Sequence, residues 1–426
     1  MKTSRIKDER RKKLHPANIS KPKREAEEAK ERADELSAKT VLLAVTGMSP
    51  AILTETVWAL AAENPPIVPE EVIVITTTRG KADIYGQLLT PLPAYDGRSV
   101  WEALRAQVLG RPTVTRIAKD PERLLQFGTP RVIELPDRRR GIKTPAEDLR
   151  SPQDNLAAGD YILEEVRRLV ENMDVRVVAS IAGGRKTMGA LLYACMSLLG
   201  RESDRVTHVL VNEPFDICRG FYFPEQPDQE LRAAREGAVV MASEARIELA
   251  DIPFVPLRKL FERDLLHAPG GFAGLVELGK ISVRERARDA VRLEICEDAP
   301  RIIVNNCPVD LSVAEYILIW NLAKRASKGE PALGKYGAAA EYVAAAAREL
   351  YAARNPEDFS DWRAGANTAG GGTENIDEWW IRKNLSSMRH KLRKAGRDTA
   401  ALNALLPETR RYSLDLDGAR ILFRGK

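Results

Sequence analysis

The pattern of apolar and polar positions changes character at Thr40. Short apolar runs of strand length, TVLLAVTG (40–47), EVIVITTT (71–78), RVVASIAGG (176–184) and HVLVNEP (208–214), alternate with stretches where apolar residues recur every three to four positions. The clearest of these are ILTETVWALAAE (52–63) and DYILEEVRRLVENM (160–173). Runs that are apolar throughout belong to strands covered on both faces, and helices between strands imply crossover connections. The pattern predicts an α/β domain built on a mostly parallel sheet. EARIELADIPFVPLR (244–258) reads as a further strand leading into an extended segment, because its prolines limit helix. SVRERARDAVRLEICED (282–298) reads as a charged connecting helix.

Beyond Arg301 the pattern differs. RIIVNNCPVDLS (301–312) suggests a hairpin, SVAEYILIWNLAKRA (312–326) an amphipathic helix, and TENIDEWWIRKNLSSMRHKLRKAG (373–396) a long basic helix with Ile381, Leu385, Met388 and Leu392 on its apolar face. RRYSLDLDGARILF (410–423) is two alternating runs about Asp417-Gly418, a favoured hairpin turn. Helices, then a basic helix, then a hairpin is the order of a winged helix, and the segment resembles the winged-helix domains of bacterial response regulators. The Ala- and Gly-rich stretches YGAAAEYVAAAAREL and RAGANTAGGGT depart from that compact pattern. Expected domains are a charged tail at 1–38, an α/β domain at 39–265, a helical linker at 266–299 and a smaller α+β winged-helix domain at 300–426.

Composition narrows the class. A chain of 426 residues that is 44% hydrophobic can bury more than one core, and a net charge of +5 tilts modestly towards anionic partners. The four cysteines form no CxxC pair, so reduced thiols in a cytoplasmic protein are expected. Residues 1–38 carry charge from the start and lack the apolar segment of a secretion signal. The longest apolar run, Met188–Leu199, is too short to span a bilayer, so no membrane partner is expected.

Two strand ends carry the candidate chemistry. Thr46-Gly47-Met48-Ser49 and Gly183-Gly184-Arg185-Lys186-Thr187 each place glycine between a strand and a helix start. There the backbone can approach a ligand closely and amide hydrogens face an anion. Arg and Lys at the positive end of a helix are mildly unfavourable, which makes sense if an anion sits between them. The second loop is not a Walker A motif: Arg185 takes the place of the glycine before Lys, and the upstream spacing is wrong. Thr46, Ser49 and Thr187 offer hydroxyls to phosphate or ribose, or serve as turn and cap residues.

LLAVTGMSPAILTETVWAL, VIVITTTRG, SIAGGRKTMGALLYACMSLLG, THVLVNEPF and ELADIPFVPLR together resemble the CRISPR-associated Rossmann-fold (CARF) family, in its ring-nuclease branch. The likeness runs from about Lys39 to Asp264. It implies a Rossmann-like sheet and a homodimer that binds cyclic tetra-adenylate across its two-fold axis. It further implies cleavage of that messenger to linear oligoadenylate, which switches off type III CRISPR signalling. By resemblance Ser49, Lys186 and Arg185 take catalytic positions, and Thr46, Gly47, Met48, Gly183, Gly184 and Thr187 line the site.

The chemistry can be argued separately from the likeness. An RNA linkage breaks when its own 2′-hydroxyl attacks the adjacent phosphorus in line, leaving a 2′,3′-cyclic phosphate and a 5′-hydroxyl, and no metal or cofactor is obligatory. Lys186 then suits the phosphorane or leaving oxygen, Arg185 a forked phosphate contact, and Ser49 the orientation of the 2′-hydroxyl. Neither loop carries histidine, so slow turnover is expected. The C-terminal half lacks the Arg-x4–6-His motif of CARF-linked RNases, since Arg263 to His267 is too short and Arg382 to His390 too long. The competing expectation is a ligand-controlled regulator that contacts double-stranded DNA through Arg382, Lys383, Arg389, Lys391, Arg393 and Lys394 without cutting the messenger.

Overall fold

The computed structural model describes residues 39–137, 141–224, 229–232, 237–260, 270–352, 376–407 and 411–425. The charged tail at 1–38 and the stretch RAGANTAGGGT lie outside the described residues. The chain divides into two compact units, one ending at Val276 and the other beginning at Glu277.

In the first unit β1 (Lys39–Val45) leads through α1 (Ala51–Leu60) to β2 (Glu71–Thr76), α2 (Thr78–Ile84) and α3 (Val100–Leu109). Short strands β3 (Gln126–Phe127) and β4 (Arg131–Val132) follow, then the hairpin of β5 (Glu134–Asp137) and β6 (Ile142–Pro145). The chain continues through α4 (Pro152–Val170), β7 (Val175–Ser180), α5 (Lys186–Leu199), β8 (Arg205–Val211), the small hairpin of β9 (Glu230–Arg232) and β10 (Val239–Met241), and β11 (Ile247–Asp251). The main sheet has the order β11-β8-β7-β1-β2-β3, with β4 also against β2. Every pair in it is parallel except β11 with β8. This is the α/β architecture that the apolar runs predict.

The reason β1 reads as a continuous apolar run is visible in its packing. Val41, Leu43 and Val45 face α4 and α5, whereas Leu42 and Ala44 face α1 and α3. Each of the larger side chains contributes about 1.5–3 kcal/mol on full burial, so a one-residue slip would be opposed on both faces. From β1 the chain steps to β2 on one side and returns to β7 on the other. Such a reversal opens a crevice at the carboxyl ends of the two central strands.

The segment α6 (Gly271–Asp289) carries the chain from the first unit into the second. There β12 (Leu293–Cys296), β13 (Arg301–Val304) and β14 (Cys307–Asp310) precede α7 (Val313–Ser327), α8 (Tyr336–Ala352), α9 (Glu378–Ala395), α10 (Arg397–Asn403) and β15 (Ile421–Arg424). The sheet order is β14-β13-β12-β15. The hairpin expected at 301–312 forms, turning through Asn305 and Asn306 at φ 52° and 68°.

Two expectations are corrected in this unit. The tract 266–299 is not helical linker throughout, because Leu293–Cys296 lies between β13 and β15, with Leu293 and Ile295 buried in the core. The terminal segment does not fold back on itself about Asp417-Gly418. Tyr412 bridges to Leu333, Asp417 accepts from the Ala419 amide at 2.9 Å to hold a single turn at 418–420, and β15 runs parallel to β12. The alternation in YSLDLD serves helix packing instead: Tyr412, Leu414 and Leu416 are buried in the core with α7, and the Tyr412 hydroxyl donates to Asn321 Oδ1 at 3.0 Å.

Candidate functional site

The loops after β1 and β7 meet at the crevice. A Cβ on Gly47 would stand 3.3 Å from the Gly184 Cα, and one on Gly183 would stand 2.8 Å from the Val45 carbonyl oxygen. Gly184 has φ +79°, a left-handed conformation that a side chain would strain. These close approaches explain why glycine recurs at both strand ends.

Both helices that begin here lack a side-chain cap: α1 starts after Pro50 and α5 after Arg185. Elsewhere α3, α4 and α7 each begin with a complete capping box, Ser99–Glu102, Ser151–Asp154 and Ser312–Glu315. Amide hydrogens at the crevice are therefore left for another acceptor.

The expected residues divide by exposure. Met48, Ser49, Gly184, Arg185, Lys186 and Thr187 are exposed, and Gly47 and Gly183 are partly so. Thr46 is fully buried: its hydroxyl donates to the Ser49 carbonyl at 3.3 Å and its carbonyl accepts from Thr76 Oγ1 at 2.8 Å. It shapes the first loop rather than lining the crevice. The Lys186 side chain makes no hydrogen bond or ion pair among the described residues.

Arg185 is not free to clamp an anion with its whole fork. Its Nε donates to Asp148 Oδ1 at 2.9 Å, and its Nη2 pairs with Asp148 Oδ2. The Arg185 contact, joined by Arg150 and the Leu149 amide, holds the Asp148 carboxyl well below the usual carboxylate range. Asp148 precedes α4 and is distant from Arg185 in sequence, so no local pattern pointed to it.

A cavity of about 640 Å³ opens beside the first loop. Met48, Ser49, Ile52 and Glu55 form one wall, Val209 and Val211 of β8 another, and the segment from Phe215 to Tyr222 a third, with Gln87 also lining it. Glu55 is 7% exposed, and burial, aided by the Asp216 carboxylate, pushes its carboxyl up to about 7. Sequence reasoning missed Glu55. Its signal was an acid placed three residues after Ile52 on the apolar face of ILTETVWALAAE. Among the described residues no cluster of three His, Cys, Asp or Glu side chains could hold a metal ion, and no helix is long and apolar enough to cross a membrane.

Comparison with protein families decides the relationship. Residues 49–277, more than half of the chain, match the model of CRISPR-associated protein NE0113. The chain belongs to the NE0113 family. The NE0113 match takes in Ser49, every residue lining the cavity except Met48, the second glycine loop and the whole of β7, α5 and β8. Among solved structures, Enterococcus italicus Csm6 bound to cyclic hexa-2′-fluoro-hexa-dAMP is similar at 12% identity over 84% of this chain and 80% of that one, with a TM-score of 0.25. No curated protein matches the chain.

In the second unit the basic residues of α9 have unequal fates. Arg389 donates to the carbonyls of Asn403, Leu406 and Pro407, the last at 2.7 Å, and Lys391 pairs with Glu315 at 2.7 Å. Arg382 lies 5.6 Å over the Tyr336 ring and pairs with Glu378, while Lys383 lies 5.0 Å over Trp379. Arg382, Lys383, Arg393 and Lys394 remain exposed.

Proposed function

We propose that this CRISPR-associated chain is a CARF-type ring nuclease that binds cyclic tetra-adenylate between two copies of itself and cleaves it without metal. The observation that carries this reading is the meeting of two uncapped helix starts, with exposed Ser49 and Lys186, at the reversal point of a parallel sheet. A ring of phosphodiesters presents anions to both loops at once.

In the step proposed, the 2′-oxygen of one adenosine attacks its 3′-phosphorus and the 5′-oxygen of the next leaves. The 2′-hydroxyl proton is lost and the leaving oxygen gains one. Ser49 orients the 2′-hydroxyl, Lys186 stabilises charge on the phosphorane or leaving oxygen, and the amides beside Gly183 and Gly184 hold the phosphate. Arg185, steadied by Asp148, adds positive charge at the rim rather than a full bidentate grip. Incubation of purified protein with cyclic tetra-adenylate in EDTA tests the reading. Linear products ending in 2′,3′-cyclic phosphate are expected, and an intact ring after prolonged single-turnover incubation would refute it. Light scattering with and without the ring tests for the dimer.

The exposed stripe on α9 favours a second reading, in which the messenger controls DNA binding by the second unit and is not cut. Arg382 and Arg393, and likewise Lys383 and Lys394, are spaced close to whole helical turns and so share a face. Gel shifts on promoter DNA with and without the ring test it. Salt-sensitive retention that changes with ligand is expected, and none under either condition ends it.

A further inference from the structure

The cavity beside the first loop combines features that the phosphate chemistry does not use. Its walls carry Ile217, Tyr222 and Val211, against which a flat ring can stack, and the buried, mutually packed pair Phe215 and Phe221. Its size exceeds that of a single nucleobase, and Ser49 at its mouth is shared with the phosphate-facing loop. Among these walls stands Glu55, a buried side chain that makes no ion pair among the described residues.

We propose that this cavity receives a purine base and that the Glu55 carboxyl, buried in its wall, reads the adenine edge. The inference rests on the nucleotide-binding reading above and deepens it. A neutral carboxyl offers one donor and one acceptor side by side. Adenine answers with N1 as acceptor and its N6 amino group as donor, so two hydrogen bonds form together. Guanine presents donors at both N1 and N2 and suits the ionised carboxylate instead. The protonation state of Glu55 therefore sets which purine fits.

Burial and Asp216 place the Glu55 carboxyl at about 7, where both forms are populated at neutral pH. The other charged or titratable groups facing it come from the third wall. Asp216 and Arg219 are exposed, burial pushes the Cys218 thiol up, and Tyr222 adds a phenol. The first loop and α1 contribute Ser49 and apolar neighbours, residues 85–89 contribute Gln87, and β8 contributes two valines. His208 alternates with Val209 on β8 and so points to the opposite face.

Calorimetric titration of the full chain with adenosine 5′-monophosphate and guanosine 5′-monophosphate between pH 6 and 8.5 tests the proposal. Only the protonated fraction is competent for adenine, so its affinity is expected to fall about thirtyfold across that range while guanine binding does not fall. Glu55→Gln keeps a donor beside an acceptor and should bind adenosine monophosphate with a flat pH profile. Equal, pH-independent binding of both nucleotides by the wild-type protein overturns the proposal without requiring any variant to fold. A Glu55→Gln profile as steep as the wild type overturns it as well. Cleavage of the ring together with a flat nucleotide profile sinks this inference alone. The expected nucleotide profile with an uncut ring sinks the nuclease reading alone.

Discussion

Two glutamates, each buried near the start of a helix, have opposite fates. Glu55 in α1 faces a cavity and another carboxylate, and its carboxyl is pushed up to about 7. Glu315 in α7 is 1% exposed, and desolvation would raise it too. Hydrogen bonds from Lys391, Ser387 and the Ser312 amide nevertheless bring it below the ordinary range. Burial is common to both; partners are not. A buried acid with a complete set of donors is structural, whereas one left facing a cavity retains chemistry for a ligand. The same contrast separates Lys391, which serves Glu315, from Lys186, exposed at the crevice.

Lys186→Ala should break the comparison on the functional side by the largest margin. On the proposed mechanism, loss of the Lys186 charge is expected to slow ring cleavage about 100-fold or more, equivalent to about 3 kcal/mol, with the melting temperature little changed. Single-turnover kinetics alongside thermal melts check this, and a collapsed fold would count against the assignment.

Lys391→Ala is the converse. It leaves Glu315 without its cation and should cost about 1–3 kcal/mol in denaturant unfolding of the second unit, discounted for the partial exposure of the lysine. Ring cleavage should be unaffected.

Glu55→Gln sharpens the contrast through pH. Because the folded carboxyl titrates near 7 and the unfolded one near 4.5, the neutral form stabilises the fold below about 4.5, and that stability is lost as pH rises through 7. The variant should match the wild type at pH 4.5 and exceed it by about 2–3 kcal/mol at pH 8. Denaturant melts at the two pH values measure the difference.

Asp148→Asn should have a small effect on stability, moving the melting temperature by only about 1 °C because its partner Arg185 is 56% exposed and well screened. At low salt it should tighten ring binding a few-fold by releasing the guanidinium fork. Weaker binding would show instead that Asp148 positions Arg185 for the ligand.

Much of the first unit was legible in its sequence because parallel strands covered on both faces must be apolar throughout. TVLLAVTG and RVVASIAGG therefore announced β1 and β7 directly. The glycine loops were legible for a local reason as well, since φ +79° at Gly184 and the close approach at Gly183 exclude side chains. The terminal hairpin was misread because alternation in YSLDLD fits a half-buried strand and a segment lying across helices equally well. The buried side chain of Tyr412 and its bond to Asn321 decided between them.

What the sequence alone determined are features fixed by short-range physics: strand and helix periodicity and the turns that require glycine. What only the tertiary structure decided is which charges are spent on the protein itself. Arg185 and Asp148, Lys391 and Glu315, and Glu55 and Asp216 meet through folding across long stretches of chain, and the state of each depends on burial and partners that local sequence does not encode.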